Sequence, residues 1–142
     1  MSALIEIPKN HKIYLNKPYV QVFWNPLNKI LTSRWTGFCT YEEIKAVAQR
    51  IIDAATFEGA SKVLYDAREI EVLDEDSQHY IAGDFTKEMI KAGIEYSATV
   101  SPNDVFAKFS VDDIQNSIKI PESSNNKFFQ NEEEAFNWLQ SK

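Results

Sequence analysis

A chain of 142 residues can bury one sizeable core and is short for two, so it reads as a single domain over residues 1–142. Its one cysteine, Cys39, excludes an internal disulfide, and a formal charge of −6 with no basic block argues against a phosphate backbone as partner. No apolar run reaches membrane-helix length and the N-terminus lacks the basic-then-apolar order of a secretory signal, so the chain reads as cytoplasmic, with no membrane span.

Pro8 and Pro18 bracket a stretch in which Ile13 and Leu15 make a short edge strand. Tyr19 to Trp24 places Val20, Val22 and Trp24 on one face. Asn25-Pro26-Leu27-Asn28 supplies turn chemistry, and Ile30 to Trp35 returns as the second arm of a hairpin. Thr40 and Glu43 form a capping box for a first helix. Ile44, Val47, Ala48, Ile51, Ile52 and Ala55 make its apolar stripe, and Gly59 closes it.

Lys62 to Asp66 is a short central strand. A second helix runs from Asp74 or Asp76 to Lys91, with Ile81, Phe85 and Met89 four apart and Gly93 beyond its end. Gly83 weakens it locally, by up to about 1 kcal/mol relative to Ala. Ile94 to Val100 is the next strand. Val105, Phe106 and Phe109 fit one helical turn, and Ser110 with Asp113 reads as another capping box. That predicts a break at Ser110 and a new short helix carrying Ile114 and Ile118. Pro121 to Asn126 is a loop by composition, and Phe128 with Phe129 is a last strand. Asn131 and Glu134 cap a terminal helix with Ala135, Trp138 and Leu139 inward.

This alternation predicts an α/β fold: a mixed, mostly parallel sheet with right-handed crossovers, about four helices and an N-terminal antiparallel hairpin. Ile44, Val47, Ile51, Val63, Leu64, Phe85, Ala98, Trp138 and Leu139 are expected to be buried together.

The chemistry-bearing residues are sparse. Gly37, Gly59, Gly83 and Gly93 are far apart, so no phosphate-cradling glycine loop exists. His79 lies one helical turn from Glu75, a spacing that presents two metal ligands on one face, but no fuller ligand set accompanies them, and no metal is expected. Cys39 precedes the first helix, whose N-terminus lowers a thiol pKa; without a base beside it, it reads as a small turn residue. The acidic runs 74–76, 112–113 and 132–134 each fall in the first turn of an expected helix, where the macrodipole favours carboxylates. Phe85, Phe106, Phe109, Phe128, Phe129 and Trp138 read mainly as core.

Several pieces in order carry a family resemblance. They are Ile30-Leu-Thr-Ser-Arg-Trp-Thr-Gly37, the capped helix from Thr40, Val63-Leu-Tyr-Asp66, and the ending Phe128-Phe-Gln-Asn-Glu-Glu-Glu-Ala-Phe-Asn-Trp-Leu139. From the Tyr19 strand to the last helix the chain resembles SpoIIAA-like proteins of the STAS class, named for sulfate transporters and anti-sigma factor antagonists. In the antagonists a strand-end Asp leads to an Asp-Ser-Ser-Gly-like helix start bearing the phosphorylated serine. Asp66 matches the strand-end acid and Asp74 opens the motif. The phosphorylatable position is then Asp76 and the glycine position Ser77, so the resemblance implies a module without the kinase switch.

The leading expectation is a non-enzymatic binding or regulatory module without a cofactor. It would dock a protein partner through Asp66, Arg68, Asp74, Glu75, Asp76 and Ser77. The alternative, drawn from the SEC14-like label of related proteins, is a carrier of a small apolar or lipid-like ligand held by Phe85, Met89, Phe106 and Phe109. A third reading is an enzyme with an acidic site near Asp74, Asp76 and His79. A homodimer is compatible with all three.

Overall fold

The computed structural model describes residues 7–118 and 125–142. Six strands form one sheet in sequence order: β1 (Lys12–Lys17), β2 (Val20–Asn25), β3 (Ile30–Gly37), β4 (Lys62–Ile70), β5 (Tyr96–Val100) and β6 (Asn126–Phe129). β1, β2 and β3 pair antiparallel, and β3 through β6 pair parallel, so the fold is α/β with an N-terminal antiparallel part. The second helix begins as α2 (Glu75–Tyr80), passes through a π-helical turn (Ile81–Phe85) and ends as α3 (Thr86–Lys91). With α1 (Tyr41–Glu58), α4 (Val105–Ser117) and α5 (Glu132–Gln140), that makes four helical bodies among the described residues.

Local chemistry explains most boundaries. Asn25 Oδ1 accepts from the backbone N–H of Leu27 and Asn28, which folds the β2–β3 turn. The left-handed residue there is Lys29, at φ 57°, rather than Asn28. The capping box forms: Thr40 Oγ1 accepts from Glu43 N, and Glu43 Oε1 accepts from Thr40 N. Gly59, at φ 65°, ends α1 in the left-handed region. Asn131 caps α5 by accepting from Glu134 N at 2.8 Å.

Two expectations about the second half are corrected. α4 is unbroken across Ser110 and is capped by Asp104, whose Oδ2 accepts from Ala107 N. Ser110 is buried, and its hydroxyl accepts from Leu73 N at 3.2 Å and donates to Phe106 O. A partner 37 residues away thus claims the side chain that local sequence assigned to a cap. Asp112 and Asp113 therefore lie inside α4 and not in a first turn; Asp112 pairs with Lys108 one turn earlier. The loop expected over Pro121 to Asn126 falls mostly outside the described residues, and Asn126 begins β6.

Each parallel crossover steps to the next strand in the same direction. Right-handed crossovers of that kind put their helices on one face, and α1, α2–α3 and α4 share it. The chain then leaves β6 and lays α5 on the opposite face, against β4, β5 and β6. The core is accordingly split. Val20, Val22, Leu31, Val47, Ile51 and Val63 pack beneath α1, while Ile30, Leu64, Ala98, Val100, Ala135 and Leu139 pack beneath α5. The nine residues expected to be buried together therefore divide between the two faces. Trp138 is only half-buried, at the edge of α5, with Tyr96 and Phe129 against its ring.

β4 carries an extra residue relative to β3 between the pairs Arg34–Asp66 and Thr36–Glu69. A β-bulge shifts the alternation of side chains between faces. Ala67 and Ile70, three apart, consequently both join the cluster beneath α4.

Candidate functional site

Beneath α1, the second helix and α4 lies a cavity of about 180 Å³. The sheet supplies its floor: Tyr65 and Ala67 from β4, Ser97 and Thr99 from β5, and Trp35 from β3. Ile44, Ala48 and Ile51 come from the apolar stripe of α1. The π-turn and α3 add Ile81, Phe85 and Met89, and α4 adds Val111, Ile114 and Gln115. The wall is predominantly apolar, as ligand cavities are.

The π-turn belongs to this wall. Ile81 and Phe85 are its first and last residues, and both line the cavity. Thr86 Oγ1 donates to Ile81 O at 2.7 Å, adding a side-chain bond to the carbonyl that opens the widened turn. The Phe85 ring meets Tyr65 edge-on at 6.1 Å between centroids.

Polar groups in the wall are few, and nearly all are mutually satisfied. Asn126 Oδ1 accepts from Ser97 Oγ at 2.7 Å and from Thr99 Oγ1 at 3.3 Å. Asn126 Nδ2 donates to Gln115 Oε1 at 2.9 Å. This cluster ties β5, β6 and α4 together at one end. Tyr65 differs: its hydroxyl makes no hydrogen bond among the described residues, and burial pushes its pKa upward.

Of the four residues expected to hold an apolar ligand, Phe85 and Met89 line this cavity. Phe106 and Phe109 do not; they project from the outer face of α4, 70% and 61% exposed. The inward face of α4 is instead Ala107, Ser110, Ile114 and the partly buried Val111. Tyr65 and the Asn126 cluster were not singled out in the sequence. The available signal was a tyrosine inside an apolar strand, where a phenol set among apolar side chains ordinarily finds a partner.

The six residues of the expected docking surface divide between the two faces of the sheet. Asp66 is buried on the α5 face, where Arg68 grips it through Nε and Nη2 at 2.9 and 2.6 Å. Glu132, in the first turn of α5, receives a two-pronged bond from Arg34 at 2.7 and 3.1 Å and a longer one from Arg68. Burial alone would raise the Asp66 pKa, but the bonds from Arg68 outweigh it and hold the carboxyl below its ordinary range. Arg34 also stacks over the Phe23 ring at 4.9 Å. These charges fasten the start of α5 to the sheet.

Asp74, Glu75, Asp76 and Ser77 lie at the start of α2, on the other side. Asp74 caps the helix by accepting from Ser77 N at 2.8 Å. Glu75 and Asp76 are exposed, whereas Ser77 is fully buried, its Oγ without a partner among the described residues. The region expected to form an acidic enzyme site therefore offers three solvated carboxylates, Asp74, Glu75 and Asp76, and His79, whose Nε2 stands 3.7 Å from Glu75 on an exposed helical face.

Cys39 is buried, and burial pushes its thiol up to about 11. Desolvation is the larger cause and the Glu43 carboxylate adds to it, so the α1 N-terminus does not bring the thiol down. Among the described residues no helix is long and apolar enough to cross a membrane. The chain matches no protein-family model and no curated protein.

Proposed function

We propose that this chain is a non-enzymatic binding module, SpoIIAA-like in frame, whose bound species is a small apolar molecule held between the sheet and its three crossover helices. The observation that carries the reading is the apolar cavity of about 180 Å³ and the π-turn built into its wall. Concave, mostly apolar sites of this kind are few per protein and are where small molecules bind. Engineered apolar cavities of roughly 150 Å³ take up benzene. Among the described residues the cavity wall presents no nucleophile beside a base. Docking of a protein partner draws less support, since Asp66 and Ser77 are buried and the six residues divide between two faces.

The test uses a small apolar probe such as ethylbenzene. At a hundred times its dissociation constant, a probe that binds only the folded state adds about 2.7 kcal/mol to the unfolding free energy. The wild type should show that gain. Ala48→Leu, which places extra carbon in the cavity wall, should fold and lose it. A melting temperature that stays flat for the wild type across a series of such probes would sink the reading.

A further inference from the structure

The composition of the cavity wall says which apolar molecules it accepts. Among the described residues the lining contains no Lys, Arg or His, and its one carboxylate, Glu95, is exposed to solvent. A ligand carboxylate or phosphate would therefore lose its hydration and gain no counter-charge, a cost of several kcal/mol per ion before relaxation. Ser97, Thr99, Gln115 and Asn126 bond to one another, and Thr86 bonds to Ile81 O, so these groups are already engaged. That leaves the Tyr65 hydroxyl as the one lining hydroxyl without a hydrogen bond among the described residues.

We infer, on the cavity reading above, that the site takes an uncharged, largely apolar molecule carrying one carbonyl or hydroxyl oxygen that accepts a hydrogen bond from Tyr65. Burial keeps the phenol protonated, so it acts as a donor across the physiological range. The ring is braced edge-on by Phe85 and stands on a central strand, so the donor is fixed on a rigid element. The volume sets the size. At about 30 Å³ per water in the liquid, and with benzene filling about 150 Å³, the cavity holds roughly six to ten non-hydrogen atoms. The recognised class is thus a small neutral ketone, aldehyde or alcohol on an aromatic or branched hydrocarbon body, in preference to a fatty acid or a phosphorylated lipid.

Four probes of one shape separate the possibilities: ethylbenzene, acetophenone, 1-phenylethanol and benzoate, each titrated calorimetrically at pH 7 into wild type and Tyr65→Phe. The wild type should bind acetophenone and 1-phenylethanol at least tenfold more tightly than benzoate. Tyr65→Phe should weaken acetophenone and 1-phenylethanol about tenfold, the scale of one buried hydrogen bond. It should leave ethylbenzene within about twofold, which also shows that the variant is folded. Benzoate binding as tightly as acetophenone overturns the inference, as does an acetophenone affinity indifferent to Tyr65→Phe. Either result alongside ethylbenzene binding leaves the apolar cavity standing and removes only the neutral-oxygen specificity. Failure of ethylbenzene to bind the wild type removes both.

Discussion

The two faces of the sheet are packed to different standards. On one, a single nine-residue helix, α5, sits on Ile30, Leu64, Ala98 and Val100 with Ala135 and Leu139 fully buried between them. On the other, three helical bodies converge and leave a cavity of about 180 Å³. The difference follows from geometry. One short helix approaches a twisted sheet as closely as its smallest residue allows, and α5 presents Ala135 at the contact. Several helices covering the same sheet must also clear one another. Each stands off by the size of its own side chains, and the space where they meet is filled only if those side chains are large enough. Here Ala48, Ala67 and Thr86 are small at the meeting point. One face is therefore specialised for cohesion and the other for accommodation.

The contrast is most sharply tested by removing volume from the tight face. Leu139→Ala should destabilise by about 2–5 kcal/mol, because a fully buried Leu is lost where nothing is free to collapse. Urea denaturation gives the value, and a cost below about 1 kcal/mol would show that the α5 face is looser than its burial indicates.

Adding volume gives the next largest effect and separates the faces by sign. Ala135→Leu should cost about 1–3 kcal/mol through overpacking. Ala48→Leu, opposite a cavity, should change stability by less than about 1 kcal/mol in either direction. Equal penalties for the two substitutions would remove the distinction between the faces.

The smallest effect concerns pH. Asp66 has a lowered pKa in the folded chain, so its contribution is complete above the unfolded value of about 3.9 and is lost as pH falls through the folded value. Asp66→Asn should therefore be less stable than wild type near neutrality, and the gap should narrow on acidification below about pH 4. A gap that stays constant to pH 3 would show that the Arg68 contact contributes through shape and not through charge.

Features decided by neighbours in sequence were legible in the chain. The α1 boundaries follow from Thr40, Glu43 and Gly59, and the hairpin turn from Asn25, because each partner lies within five residues. Features decided at a distance were not. Ser110 looks like a cap until Leu73, three residues beyond the end of β4, reaches it. The π-turn is local yet hidden, because Ile81, Phe85 and Met89 keep a helical spacing through it, and only the hydrogen bonds reveal the wider turn. The β4 bulge likewise depends on register against β3. The cavity too is decided at a distance, being a property of how helices fail to meet. No periodicity in one segment encodes that, so Phe106 and Phe109 were plausible lining residues that proved to face solvent.

The strand order itself has a consequence for how the chain acquires its shape. Every strand pairs with the one made immediately before it, from β1 to β6. No strand has to insert between two that already exist. The sheet can lengthen at one open edge as synthesis proceeds from the N-terminus, with each new strand meeting a template already in place. The loops to be closed are short for a parallel sheet, which favours rapid assembly. α5 follows β6 and seals the opposite face, so until it docks, Leu64, Ala98 and Val100 remain open to solvent. During that interval the exposed apolar sheet face leaves the nascent chain open to aggregation or chaperone capture.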